Sequence, residues 1–263
     1  MLKQCVAALI LLGSAGFGPA QAAEALALKV LGFSPDGRYF GFTQYGGQGD
    51  HSEYIAELFI IDASRDRLVP GVPVRVKAEV KDENEEKELE ALLAISEKRA
   101  AGLLKRHRIS KPGDLLLIVE NTSSGIPHSG SGGPVVGSTW VKVTEHPRLG
   151  EFDVKLAPKE IVWPKTSKFG SHKEAALCSQ EVDWQKGAGF RLTLEHRNRT
   201  IVLNDDKTIP ASRFCATGYG IVEVHAFDRP DGKVTLVIIL GMQTRGFEGE
   251  DRVFLAVTRV LNR

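Results

Sequence analysis

Asp50, His51 and Glu53 stand together in the glycine-rich run 46–53, and they are the donors best placed to hold a small ligand. Two carboxylates and an imidazole on a loop freed by glycine offer oxygen and nitrogen to a cation or a polar molecule. The spaced acids of a calcium-binding helix–loop–helix are absent from the run. Glu248, Glu250 and Asp251 make a second acidic loop, which reads as a turn between the last two strands. Arg213, two residues before Cys215, is a cation set beside a sulfur. Asp50, His51, Glu53, Arg213, Glu248 and Asp251 are therefore the candidate ligand contacts. The seven histidines (51, 107, 128, 146, 172, 196 and 225) form neither an HxH nor an HExxH pair, so no metal set is expected. Neither phosphate-binding glycine signature occurs, and no cofactor is expected.

Residues 128–136, HSGSGGPVV, resemble the GDSGGPVV sequence around the nucleophile of trypsin-like proteases, with Ser131 in the nucleophile's place. The likeness fails where the chemistry needs it. Ser129 stands for the glycine of that motif and Gly130 for its aspartate. A serine nucleophile also needs a histidine base and an orienting acid. The upstream histidines lie in a glycine loop (His51), a helix pattern (His107) and beside the serine itself (His128). The segment reads as a flexible loop, and no catalytic residue is expected. A nucleophile elbow, GxSxG, is missing too. Paired carboxylates for glycoside cleavage are set by the fold and have no sequence signature.

These candidates must be carried by strands. Residues 29–33, 39–45, 54–62 and 73–80 read as four strands, the first two joined by the turn Pro35-Asp36-Gly37. Residues 82–107 read as one long helix. Leu89, Leu92, Leu93, Ala100, Leu103 and Leu104 lie on one stripe, acids crowd the first half and bases the second, and Pro112-Gly113 is the expected stop. Its solvated outer face and apolar inner stripe predict docking on a sheet. Strand patterns resume at 114–120. After a Gly-, Ser- and Pro-rich stretch, 121–137, they continue at 139–144, 152–156, 189–196, 200–204, 221–227, 233–240 and 252–260. The expected fold is mainly β, with antiparallel sheets in a sandwich-like or partial-propeller-like arrangement and one long amphipathic helix inserted. A flexible connection at 121–150 divides residues 23–120 from a β-rich half, 151–263, or the two form one continuous sheet system.

Residues 1–22 have the three parts of a cleavable secretory signal: Lys3, the apolar run 6–12, and Pro19 ahead of Ala20-Gln21-Ala22. Removing them takes Lys3 from 34 bases and nothing from 33 acids, so the mature chain carries 33 of each. That neutrality argues against a nucleic-acid partner. No later segment is apolar enough to cross a bilayer as a helix. Of three cysteines, Cys178 and Cys215 remain. In an oxidising compartment they are expected to form a disulfide, whose loop closure contributes roughly 3–4 kcal/mol.

Two resemblances follow. The run 33–38, FSPDGR, with the apolar strand ending at Asp62, looks like one blade of a TolB-type β-propeller. Recurrence at about 40–50 residues, which a propeller requires, is missing. Across the chain, residues 33–46 (FSPDGRYFGFTQYG), 209–221 (IPASRFCATGYGI) and 246–258 (GFEGEDRVFLAVT) are similar to a family of predicted secreted bacterial proteins of unknown function. That likeness implies export and a shared fold, and it implies no activity.

The expected product is a soluble exported protein, periplasmic or secreted: a β-rich binding or accessory module whose partner is an envelope protein or a small ligand. Two other classes compete. One is an envelope hydrolase whose acids meet only in the fold; the other is a structural partner recruited through the helix.

Overall fold

The run Val234–Arg245 is apolar on both sides of its pleat, a pattern that suits a strand covered on both faces. The computed structural model describes residues 26–48, 53–79, 85–119, 138–162, 186–213, 216–245 and 250–262, and it puts this strand inside a central sheet. The described strands are β1 (Ala27–Phe33), β2 (Tyr39–Gln48), β3 (Glu53–Asp62), β4 (Arg67–Leu68), β5 (Val74–Glu79), β6 (Asp114–Ile118) and β7 (Trp140–Val143). They continue with β8 (Phe152–Val162), β9 (Lys186–His196), β10 (Arg199–Asp205), β11 (Ala216–Asp228), β12 (Val234–Arg245) and β13 (Glu250–Leu261). One helix, α1 (Glu85–His107), separates β5 from β6.

Every strand pairing is antiparallel, and the strands make three sheets. The central sheet runs β13-β12-β11-β6, an outer sheet runs β10-β9-β8-β7, and a helix-backed sheet holds β1 to β5. Alternation decides the layering. Leu236, Ile238 and Leu240 of β12 pack with Val154, Leu192 and Leu194 of the outer sheet. Val237 and Ile239, one step along the same strand, pack with Phe33, Phe40 and Phe42 of the helix-backed sheet. The far face of that sheet takes the helix: Leu92 meets Tyr54, Ala56 and Val76, and Ala100 meets Leu58 and Ile60. The order is outer sheet, central sheet, helix-backed sheet, helix. Of the sandwich-like and partial-propeller-like arrangements expected from the strand patterns, these packed layers are the sandwich-like one.

The helix begins within the described residues at Glu85 and ends at His107, before the Pro112-Gly113 stop that the sequence suggests. Arg108 has φ +55°, the left-handed conformation that closes a helix. The Ile109 amide donates to the Leu104 carbonyl (3.1 Å) and that of Arg108 to Lys105 (3.2 Å), the paired bonds of a left-handed C-terminal cap. Pro112 and Gly113 serve the return instead. Lys111 brackets Phe33, its carbonyl accepting the Phe33 amide (2.6 Å) and its amide donating back (2.9 Å).

An edge strand exposes unpaired backbone groups, and β13 is such an edge. Residues of the helix-backed sheet and its turns occupy it. The Leu26 amide donates to the Arg252 carbonyl (3.2 Å), the Phe254 amide to Gln44 Oε1 (2.7 Å), and the Thr258 amide to Asp66 Oδ1 (2.7 Å). Gln44 is itself fixed, because its Nε2 donates to the buried Glu57 carboxylate (2.7 Å), which also takes the Arg75 guanidinium.

Candidate functional site

Strands β9 and β10 pair so tightly that His196 faces Arg199, leaving Arg197 and Asn198 as a two-residue loop. Both loop residues have positive φ, +49° and +59°. A two-residue hairpin demands this, and asparagine or glycine meets the demand at low cost. Arginine does not: a left-handed residue with a Cβ costs about 1–2 kcal/mol. Arg197 holds an exposed guanidinium at this strained tip, and Arg199 holds another just below it.

The C-terminal end of β13 comes alongside. Asp66, in the turn before β4, accepts both the amide and the hydroxyl of Thr258 (2.7 and 2.9 Å). That clasp fixes the strand where the exposed Arg259 leaves it. Burial raises the Asp66 carboxyl above its ordinary range, although the Thr258 bonds and the charge of Arg259 oppose the rise. His196 is anchored from below, with Nε2 donating to the Leu149 carbonyl at 2.7 Å.

Between the hairpin and the strand end lies a cleft of about 560 Å³. Arg197, Arg199, Arg259 and His196 line it, over a floor that includes Ile201 and Leu261. Both floor residues belong to the core between the outer and central sheets, so the cleft opens onto the end of that core. No ion pair ties any of the three arginines to a carboxylate among the described residues. The site therefore combines three cations, of which Arg259 feels the charge of Asp66, with an apolar base. A guanidinium fork matches phosphate or carboxylate oxygens two at a time.

A second concavity, about 350 Å³, lies where the helix return crosses the central sheet. Ser110 and the buried His225 line it. His225 Nε2 bonds Glu223 Oε2 at 2.7 Å, and the side chain is 5% exposed. It is an acid–imidazole pair at the wall of a shallow cleft.

Arg213 ends a 3-10 turn, Ala211–Arg213, and clamps Asp206 with two bonds, 2.7 and 2.6 Å. Burial pushes the Asp206 carboxyl up, but the Arg213 pair, Asn204 and the Phe190 amide outweigh it and leave it below its ordinary value. The guanidinium lies 4.9 Å from the Phe190 ring centre and 5.8 Å from that of Tyr219. Burial drives the Tyr219 hydroxyl to about 12 despite the neighbouring cation, and it donates to the Ala188 carbonyl (3.0 Å).

A family described as "Predicted secreted protein (DUF2259)" matches residues 41–259. The chain belongs to this family. It is accordingly a periplasmic or secreted protein, and among the described residues no helix is long and apolar enough to cross a membrane. No curated protein matches it.

Of the six candidate contacts read from the sequence, Glu53, Arg213 and Asp251 fall among the described residues. Asp50, His51 and Glu248 lie outside the described residues, as do Cys178 and Cys215. Glu53 opens β3, opposite Gln48 and Glu79, and Asp251 pairs with Thr244 in β13. Arg213 is described in full, with its forked end engaged by Asp206. The segment 128–136 also falls outside the described residues. Among the described residues no cluster of metal-ligating side chains occurs.

The arginine cleft is not among the candidates that the sequence singles out. Its signal is weak but present in His196-Arg197-Asn198-Arg199, where two cations flank an asparagine at a predicted strand break. Arg259 carries no signal at all, since only the layering of the sheets brings it to the hairpin.

Proposed function

We propose that the mature protein is a non-enzymatic binding module of the cell envelope, and that its ligand is an anion seated in the cleft between the β9–β10 hairpin and the end of β13. One observation carries the reading: three guanidiniums that have no ion-pair partner among the described residues converge on a concave space of about 560 Å³ with an apolar base. A volume in that range suits a small organic molecule. Export supports the assignment, because the module then meets its ligand outside the cytoplasm. The reading includes cleavage after Ala22 and a Cys178–Cys215 bridge, which should protect both thiols from alkylation until a reductant is added.

Calorimetric titration of the mature protein with a panel of organic anions at low salt is the direct test. Saturable binding that weakens as salt rises, and that falls at least tenfold in Arg199→Gln, is the expected outcome. Binding unaffected by that change would move the ligand elsewhere.

The hydrolase reading has one observation in its favour, the His225–Glu223 pair beside Ser110. It requires Ser110 to be a nucleophile. Labelling by a fluorophosphonate, lost in Ser110→Ala and in His225→Ala, would support it; an unlabelled wild-type protein would eliminate Ser110.

A further inference from the structure

We propose that the arginine cleft recognises a phosphate monoester carried on an apolar body. This rests on the anion-binding reading above and names the class of ligand.

Charge balance is the first argument. Arg197, Arg199 and Arg259 bring three permanent positive charges to one space. The Asp66 carboxylate and Arg259 feel each other's charge, and Asp66 is held in place by Thr258. Among the described residues, three cations less one nearby anion leave a surplus of two. A carboxylate or a phosphate diester brings one negative charge. A phosphate monoester brings about −1.5 to −2 near neutral pH, with three acceptor oxygens. It is the small group that satisfies several guanidinium forks at once.

The floor gives the second argument. Ile201 is half-buried and Leu261 is buried, and each contributes to the core between two sheets. A bare inorganic phosphate would leave that floor in contact with water. An attached apolar group removes it, at roughly 25 cal/mol for each Å² covered.

The strained tip gives the third. A hairpin needing only a turn would take asparagine or glycine at position 197, and here an arginine adopts φ +49°. Backbone strain of this kind concentrates at functional positions. Arg197 is the one side chain of the loop whose chemistry serves the cleft.

The chemistry has two sources outside the cytoplasm, a free phosphomonoester and the head group of phosphatidic acid in a membrane. The test uses the mature protein, with hexyl phosphate, hexanoate and inorganic phosphate by calorimetry, and vesicles with and without phosphatidic acid by co-sedimentation. Hexyl phosphate is expected to bind at least tenfold tighter than hexanoate and than inorganic phosphate. Arg199→Gln and Arg259→Gln, at exposed positions, should each remove a further tenfold while leaving the thermal melt in place. Co-sedimentation with phosphatidic acid vesicles, sensitive to the same changes, would place the ligand in a membrane. Hexyl phosphate binding without co-sedimentation would place it in solution. Hexanoate equal to or better than hexyl phosphate would overturn the monoester while leaving the anion site standing. Saturable binding by no anion at all would overturn both.

Discussion

Arg213 and Asp206 form a two-pronged ion pair whose side chains are 13% and 4% exposed. Each end is also held by something else: Asn204 and the Phe190 amide bond the carboxylate, and the Phe190 ring lies against the guanidinium. The pair therefore locks the turn before β11 onto the β9–β10 edge. Truncating one member leaves the other buried and unmatched, a loss of about 3–5 kcal/mol. Arg213→Ala should lower the unfolding free energy by that amount, read in a denaturant titration as an earlier midpoint. Arg213→Lys should recover only part of it, because an ammonium lacks the fork. The pH sign follows from Asp206, whose folded carboxyl is held below its ordinary value. Its contribution is complete above the ordinary carboxylate range and declines as acid titrates it, and the Ala variant should lose that part of the acid sensitivity.

Asp66 points the other way. Burial raises its carboxyl, so the folded state holds the proton more tightly than the unfolded chain does. Stability from this group is complete below the ordinary carboxylate range and is lost as pH rises through the raised value. Asp66→Asn keeps an oxygen for the Thr258 amide and tolerates φ +50°. The variant is expected to melt higher than wild type at neutral pH and to match it in mild acid. Melting curves across pH 4 to 7 check this; an unchanged difference at every pH would refute it.

The helix and the central strand were legible because each writes a strong local pattern. Leu89, Leu92, Ala100, Leu103 and Leu104 repeat at helical spacing, and all five pack on the sheet below. The apolar run 233–240 marks a strand, but what covers each of its faces is settled only by the two sheets packed against it. The helix ends at His107, where the pattern predicts, but what stops it is Arg108 in a left-handed conformation, where glycine is the usual sign, and not Pro112-Gly113. Gln44 and Asp66 were invisible as edge caps, since a polar residue in or near a strand looks solvent-facing until the neighbouring sheet is placed. The cleft was hidden for the same reason. Arg199 and Arg259 meet only because outer and central sheets end side by side.

Two glycines with similar backbone angles should respond very differently to alanine. Gly113 has φ +72°, and a Cβ there would come within 2.5 Å of the Phe33 ring and 2.8 Å of the Ala226 carbonyl. Gly150 has φ +69° with nothing within 4 Å of its Cβ position. Gly150→Ala carries only the backbone cost, about 1–2 kcal/mol. Gly113→Ala adds overpacking worth about 1–3 kcal/mol more. Equal losses in urea titrations of the two variants would show that the helix return is looser than its contacts indicate.

Partner recruitment through the helix is best tested on the helix surface. Leu92 is 2% exposed and packs with Tyr54, Ala56 and Val76. Leu92→Ala should cost about 2–5 kcal/mol by transfer and cavity formation. Removing the whole helix would uncover that patch together with Leu58 and Ile60, so lost association in such a deletion would report unfolding. Glu90 and Lys98 are exposed, and Glu90→Lys with Lys98→Glu keeps the net charge and leaves the buried stripe alone. Surface changes of this kind usually stay within about 0.5 kcal/mol. Were the helix the docking element, the exchange would abolish co-purification from the envelope while the melt stayed in place. The binding-module reading predicts that the exchange leaves anion binding intact, and that binding falls when Arg199 or Arg259 is changed.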